Sequence, residues 1–318
     1  MSIREGERHT KEIYQEQQAS TMITKHTPLT IVVALCYILL WSSSFIATKV
    51  GVTYSPPLTL LSARFLVAAL LMTLLAYTWR LPRPRGWSSW SRLALFGLLN
   101  SALYMGCNYV AQRSLSAGMG AIIAATNPLL LTLVAPFVLR ERLTGRRILG
   151  LILGFGGVLF VMGTRLNEHG HLDTLSGMLL SFVGVACLVS GTVFYKHFSP
   201  NEHPIVVNAV QLGTAGLALV VPVLLFEHPG QIRLDAPLIW AFLYLVLAIS
   251  IGASLLWFWL LKRGEASVVS SYYFLTPIAG LVLSALLLGE PFGVRDVLGL
   301  VAVALGIAFI HRSTRSAS

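Results

Sequence analysis

From Leu29 onward, long stretches almost free of Asp, Glu, Lys and Arg alternate with short polar connections. A helix crossing the hydrocarbon of a bilayer needs about 20 apolar residues. The stretches predict helices near 29–49, 58–79, 93–112, 117–139, 147–164, 174–195, 204–226, 237–261, 267–288 and 294–311. The pattern also repeats. Residues 127–157, from Asn127-Pro128 to Gly157, return as 276–306, from Thr276-Pro277 to Gly306, with a shift of 149 and no gap. Pro128 meets Pro277, Glu141 meets Glu290, Arg146 meets Arg295, Gly150 meets Gly299 and Gly157 meets Gly306. A weaker match with a shift of 147 aligns Lys49 with Lys196, Pro57 with Pro204 and Arg64 with Gln211.

Five helices per unit is an odd number, so the second unit starts on the opposite face and the halves are inverted. Inverted halves are a recurring transporter design, with the substrate site near the midplane between them. The expected fold is therefore an all-α integral membrane protein of ten transmembrane helices in two inverted five-helix repeats. The expected divisions are a polar tail at 1–28, a first repeat at 29–164, an inverted second repeat at 165–311 and a short tail at 312–318.

Composition agrees with a membrane protein. Hydrophobic residues make up 55% of the 318 and charged residues 11%, against about 25% charged in soluble domains. In a soluble protein the net charge of +10 would suggest nucleic acid. Here the ten spans give it another meaning. With the N-terminus inside, 17 Lys and Arg fall on the inner side and five on the outer, as cytoplasmic loops require. Both termini are then cytoplasmic, the bilayer is the partner, and no nucleic-acid role is expected. Cys36, Cys107 and Cys187 are far apart inside apolar runs and read as small buried hydrophobes. The cluster Glu168-His169-Gly170-His171-Leu172-Asp173 lacks a second ligand group, so no metal and no cofactor are expected. No Walker loop, Rossmann fingerprint, nucleophile elbow or zinc-protease motif occurs, so the chain reads as a carrier rather than an enzyme.

Spans without a central Asp, Glu or His leave no obvious proton relay. Arg64 is the exception, seven residues past Pro57 and so about 10 Å deep by helical rise. Either it binds a substrate carboxylate through its planar fork, or it bonds helix-end carbonyls or snorkels to the interface. Asn127-Pro128 and Thr276-Pro277 predict broken helices in matching halves, the pattern that points to transport sites; a plain packing kink is the other reading. Trp41 and Ser44 in the first helix, Gln211 in the seventh, Trp257 in the eighth and Tyr273 in the ninth are further cavity candidates. Asn100, Tyr104 and Asn108 step by four and so share a face of the third helix. Helix-to-helix bonding is the alternative for each polar residue. Together they describe a neutral polar cavity with aromatic walls, suited to small zwitterionic metabolites. Gly150-LIL-Gly154 and Ala302-VAL-Gly306 are small-xxx-small motifs, read as helix packing or homodimer contact. Glu141 and Glu290 are read as interfacial ion pairs or caps for the helix that follows.

Trp41-SSSF, Pro57 with Arg64, the run 116–159 and its echo 265–309 resemble the ten-helix EamA group of the drug/metabolite transporter superfamily. The resemblance implies a single-chain carrier of the bacterial inner membrane that exports amino acids or related metabolites by alternating access through a central cavity. Proton-coupled drug or metabolite export and nucleotide-sugar or organophosphate exchange are the competing readings. The small four-helix relatives carry a Glu in the first helix for proton exchange, and this first helix has none.

Overall fold

A computed structural model describes residues 28–138, 144–167, 173–198, 202–262, 275–291 and 293–315. The described secondary structure is helical throughout and falls along the predicted spans. Helix α1 is Pro28–Tyr54 and α2 is Pro57–Thr78. Helix α3 runs from Gly86–Gly97 through a π-helical Leu98–Leu103 into Tyr104–Ala111. Helix α4 is broken into Ala117–Ala124 and Asn127–Val138. Helices α5, α6 and α7 are Gly145–Asn167, Leu175–Phe198 and Pro204–Phe226. Helix α8 runs from Ala236–Tyr244 through a second π-helical segment, Leu245–Ala253, into Ser254–Lys262. Helices α9 and α10 are Leu275–Leu288 and Val294–Arg315.

Among the described residues, eight helices are long and apolar enough to span a membrane, and Thr276–Leu288 is a shorter apolar helix. Pro57, Pro204 and Pro237 sit in first turns, where the missing N–H costs nothing. Leu217 is 66% exposed, Leu224 75% and Leu286 75%. Such large apolar side chains on the outside of the bundle face lipid.

The helices pack as a two-repeat membrane fold. Helix α2 lies along α7, and α5 along α10. Helix α1 packs against α8 and α9, and α6 against α3 and α4. Exchanging each helix for its repeat mate turns the first of these sets into the second. Glycine permits the closest approach. A Cβ on Gly157 would stand 2.6 Å from the Gly299 carbonyl oxygen, and one on Gly306 would stand 2.5 Å from that of Gly150. The small-residue motifs are therefore used within the chain, between α5 and α10.

The π-helical segments begin at Leu98 and Leu245, separated by the same 147 that aligns Lys49 with Lys196. Each π turn widens the helix by one residue and shifts the faces on either side of it. Asn100 packs against Gly191 of α6, and Asn108 and the Tyr104 carbonyl pack against Gly184 of the same helix.

Candidate functional site

A cavity lies between the first three helices. Trp41, Ser44, Phe45 and Thr48 line it from α1, and Arg64 from α2. Tyr104, Met105, Asn108, Tyr109 and Gln112 line it from the last turns of α3. Trp41, Ser44, Arg64, Tyr104 and Asn108 are thus brought together as the sequence suggested. The described lining residues of this cavity all belong to the first repeat.

Arg64 is 2% exposed. Its Nε donates to Ser250 Oγ at 2.9 Å and its Nη1 to the Tyr109 hydroxyl at 2.5 Å. The guanidinium carbon lies 5.7 Å from the centre of the Phe65 ring and 5.9 Å from that of Tyr109. Among the described residues these partners are all neutral. The expected alternatives of helix-end carbonyls or snorkelling are not what the side chain does. A desolvated cation held by hydroxyls and aromatic faces, with no carboxylate partner among the described residues, sits in an environment that favours an anion.

The other polar walls are mostly satisfied internally. Asn108 Nδ2 donates to the Tyr104 carbonyl at 2.9 Å, and its Oδ1 accepts from Ser181 at 2.8 Å. Ser44 donates to the Trp41 carbonyl at 2.6 Å. Gln112 differs. It is 2% exposed, and its buried Oε1 has no partner among the described residues. A Cβ on Gly120 would stand 2.4 Å from Gln112 Nε2, so the glycine makes room for this amide.

The remaining candidates lie elsewhere. Gln211 Nε2 donates to Ser101 Oγ at 2.7 Å. Trp257 stacks on Tyr37 at 5.5 Å, and Tyr37 stacks on Trp41 at 6.1 Å. The Thr276 carbonyl accepts from Ser42 Oγ at 3.0 Å. Asn127 opens the second segment of α4, and its buried Oδ1 also lacks a partner among the described residues. Pro128 follows the break in α4, where Thr126 N and Oγ1 both donate to the Ile123 carbonyl. Pro277 lies in the first turn of α9, and Tyr273 lies outside the described residues.

Carboxylates gather at one end of the bundle and are spent on helix starts. Glu290 accepts from Ala117 N at 2.7 Å and Gly118 N at 3.1 Å. It therefore caps α4 and not the helix that follows it. Asp173 accepts from Ser116 N at 2.6 Å and Ser116 Oγ at 3.0 Å. Arg165 joins Asp173 at 3.1 Å to Asp296 at 2.9 Å. Glu227 accepts from Leu58 N and Thr59 N at the start of α2, at 2.9 and 2.7 Å. Positive helix N-termini explain this placement. Glu141 lies outside the described residues.

Sequence reasoning missed Phe45, Thr48, Met105, Tyr109, Gln112 and Ser250. Gln112 had a signal, because it continues the four-residue steps of Tyr104 and Asn108. Ser250 had none, since its role depends on a π-helical turn.

Comparison with known proteins adds a lineage. The model of a family described as the EamA-like transporter family matches residues 28–163 and again 175–312. An uncharacterized transporter of Bacillus subtilis, YvbV, is 29% identical over 280 residues, covering 88% of this chain and 90% of that protein. A probable amino-acid metabolite efflux pump of Salmonella typhimurium is 26% identical, covering 86% of this chain and 92% of the pump. A similarly described pump of Escherichia coli is 24% identical, covering 87% and 92%. One crystal structure superposes with a TM-score of 0.64 at 19% identity, over 91% of this chain and 98% of the other. At that identity the likeness concerns the fold alone.

Proposed function

The chain belongs to the EamA-like transporter family, and from that premise we propose that it passes amino acids or related small metabolites across the bacterial inner membrane. Export or facilitated passage occurs by alternating access, with both termini on the cytoplasmic side. The observation that carries this reading is Arg64, a buried cation on the cavity wall whose described partners are neutral. A substrate carboxylate supplies the missing anion through charge-assisted hydrogen bonds. Trp41, Phe45, Tyr104 and Met105 offer apolar and aromatic surface to the rest of a small solute. Relatives described as amino-acid metabolite efflux pumps support the same substrate class.

Among the described residues no carboxylate lines the cavity, and Glu227 and Glu290 are occupied at helix N-termini. Passage is then driven by the substrate gradient and not by a proton relayed through a cavity acid. Organophosphate exchange would call for several cations on the wall, where Arg64 is the cation among the described lining residues.

Arg64→Ala tests the reading. In protein that inserts normally, uptake of amino acids into proteoliposomes falls at least about tenfold, the scale of one charge-assisted contact. Unchanged uptake overturns the carboxylate role.

A further inference from the structure

Arg64 and Gln211 are repeat mates, on α2 and α7. Each reaches a serine in a π-helical segment of the opposite half. Arg64 Nε donates to Ser250 Oγ in α8 at 2.9 Å, and Gln211 Nε2 donates to Ser101 Oγ in α3 at 2.7 Å. The bonds are analogous, not equivalent: the shift of 147 that pairs Arg64 with Gln211 pairs Ser101 with Ala248, and the surroundings of the two bonds differ. Arg64 lines the cavity, whereas Gln211 and Ser101 do not.

Ser250 is tied down on every side. It is 4% exposed. Its Oγ donates to the Leu245 carbonyl at 3.0 Å, which leaves the oxygen lone pairs to accept from Arg64. Its own carbonyl accepts from Asn208 Nδ2 of α7 at 3.1 Å. The π-helical turn brings Ser250 into this position, and such turns recur at functional sites.

We propose that Ser250 is a positioning residue for substrate binding: it holds Arg64 by Nε from the second half of the chain, as Tyr109 holds Nη1 from the first, and so presents the guanidinium N–H groups that have no partner among the described residues to a substrate carboxylate. This rests on the reading of Arg64 as the carboxylate site. The described lining residues belong to the first repeat, and Ser250 links that site to α8. A shift of α8 against α2 changes the aim of the fork. Alternating access would then alter carboxylate affinity by re-aiming Arg64, one residue of the cavity wall.

The test is uptake of radiolabelled alanine, leucine, phenylalanine and threonine, each measured singly in proteoliposomes. The variants are Ser250→Ala, Ser250→Thr, Ser101→Ala and Arg64→Ala. Ser250→Ala raises the half-saturating concentration about tenfold, the value of one hydrogen bond to a charged group, with little change in maximal rate. It also erases the preference for the free acid over its amide when the two compete. Ser250→Thr restores the hydroxyl and most of the affinity. Ser101→Ala, which removes the analogous bond away from the cavity, changes half-saturation less than about twofold, as expected when no ligand contact is involved. Equal effects of Ser250→Ala and Ser101→Ala on half-saturation, or none from Ser250→Ala where Arg64→Ala abolishes uptake, overturn the positioning role and leave the carboxylate site standing. Uptake of none of the four by the wild-type protein removes the carboxylate reading and this role with it.

Discussion

Gln112 pairs an apparent defect with a use. Its buried Oε1 lacks a partner among the described residues while the side chain lines the cavity. An unsatisfied buried acceptor costs about 1–3 kcal/mol. Gln112→Met is therefore expected to raise the melting temperature in detergent while lowering transport in proteoliposomes. A fall in both would assign the amide to structure alone. Arg165 gives the opposite case. It pairs with both Asp173 and Asp296, and all three are buried. Removing one partner of a buried ionic group leaves uncompensated charge and costs about 3–5 kcal/mol. Arg165→Met should sharply reduce the yield of folded protein by size-exclusion chromatography; an unaltered profile would contradict the network's structural role. Arg64 was legible in the sequence because a charge inside an apolar run stands out. Gln112 was legible only as the continuation of a helical face. The duties of Asp173 and Glu290 were not legible, because they cap a helix that is distant in sequence from both.

Helices were the most legible elements, since hydrophobic runs of bilayer length leave few alternatives. The break before Asn127 followed from Pro128, and the described residues end α4's first segment at Ala124. The π-helical segments were invisible. An i→i+5 turn leaves no mark in composition, although Leu98 and Leu245 later prove to be repeat mates. The glycines of α5 and α10 carry a sharp prediction. A Cβ on Gly157 would strike backbone, where no rotamer change gives relief, whereas one on Gly163 would meet nothing within 4 Å. Gly157→Ala should cost about 1–3 kcal/mol through overpacking. Gly163→Ala should be neutral or stabilising by up to about 1 kcal/mol, because alanine is the better helix former. Thermal denaturation of the two variants side by side checks the contrast, and equal melting temperatures would deny the close α5–α10 contact.

For the whole molecule, the shift of 149 between 127–157 and 276–306 marks two copies of one unit in the sequence itself. It could not announce which helices of the two copies touch. That is set by shape, through glycines at α5–α10 and polar crossings such as Ser62 to the Gly216 carbonyl at 2.9 Å between α2 and α7. The charge bias also carries a topological prediction. Cysteines introduced at positions 83 and 313, in protein cleared of its native cysteines, should both be labelled only from the cytoplasmic side; labelling of either from outside would invert the assignment. The central claim is a gradient-driven carrier whose cavity cation captures a carboxylate. Counterflow in proteoliposomes loaded with unlabelled amino acid, with and without an imposed pH gradient, tests it most directly. The account predicts saturable accumulation of label that is indifferent to the pH gradient and lost in Arg64→Ala. Accumulation that requires the pH gradient, or that survives in Arg64→Ala, would contradict it.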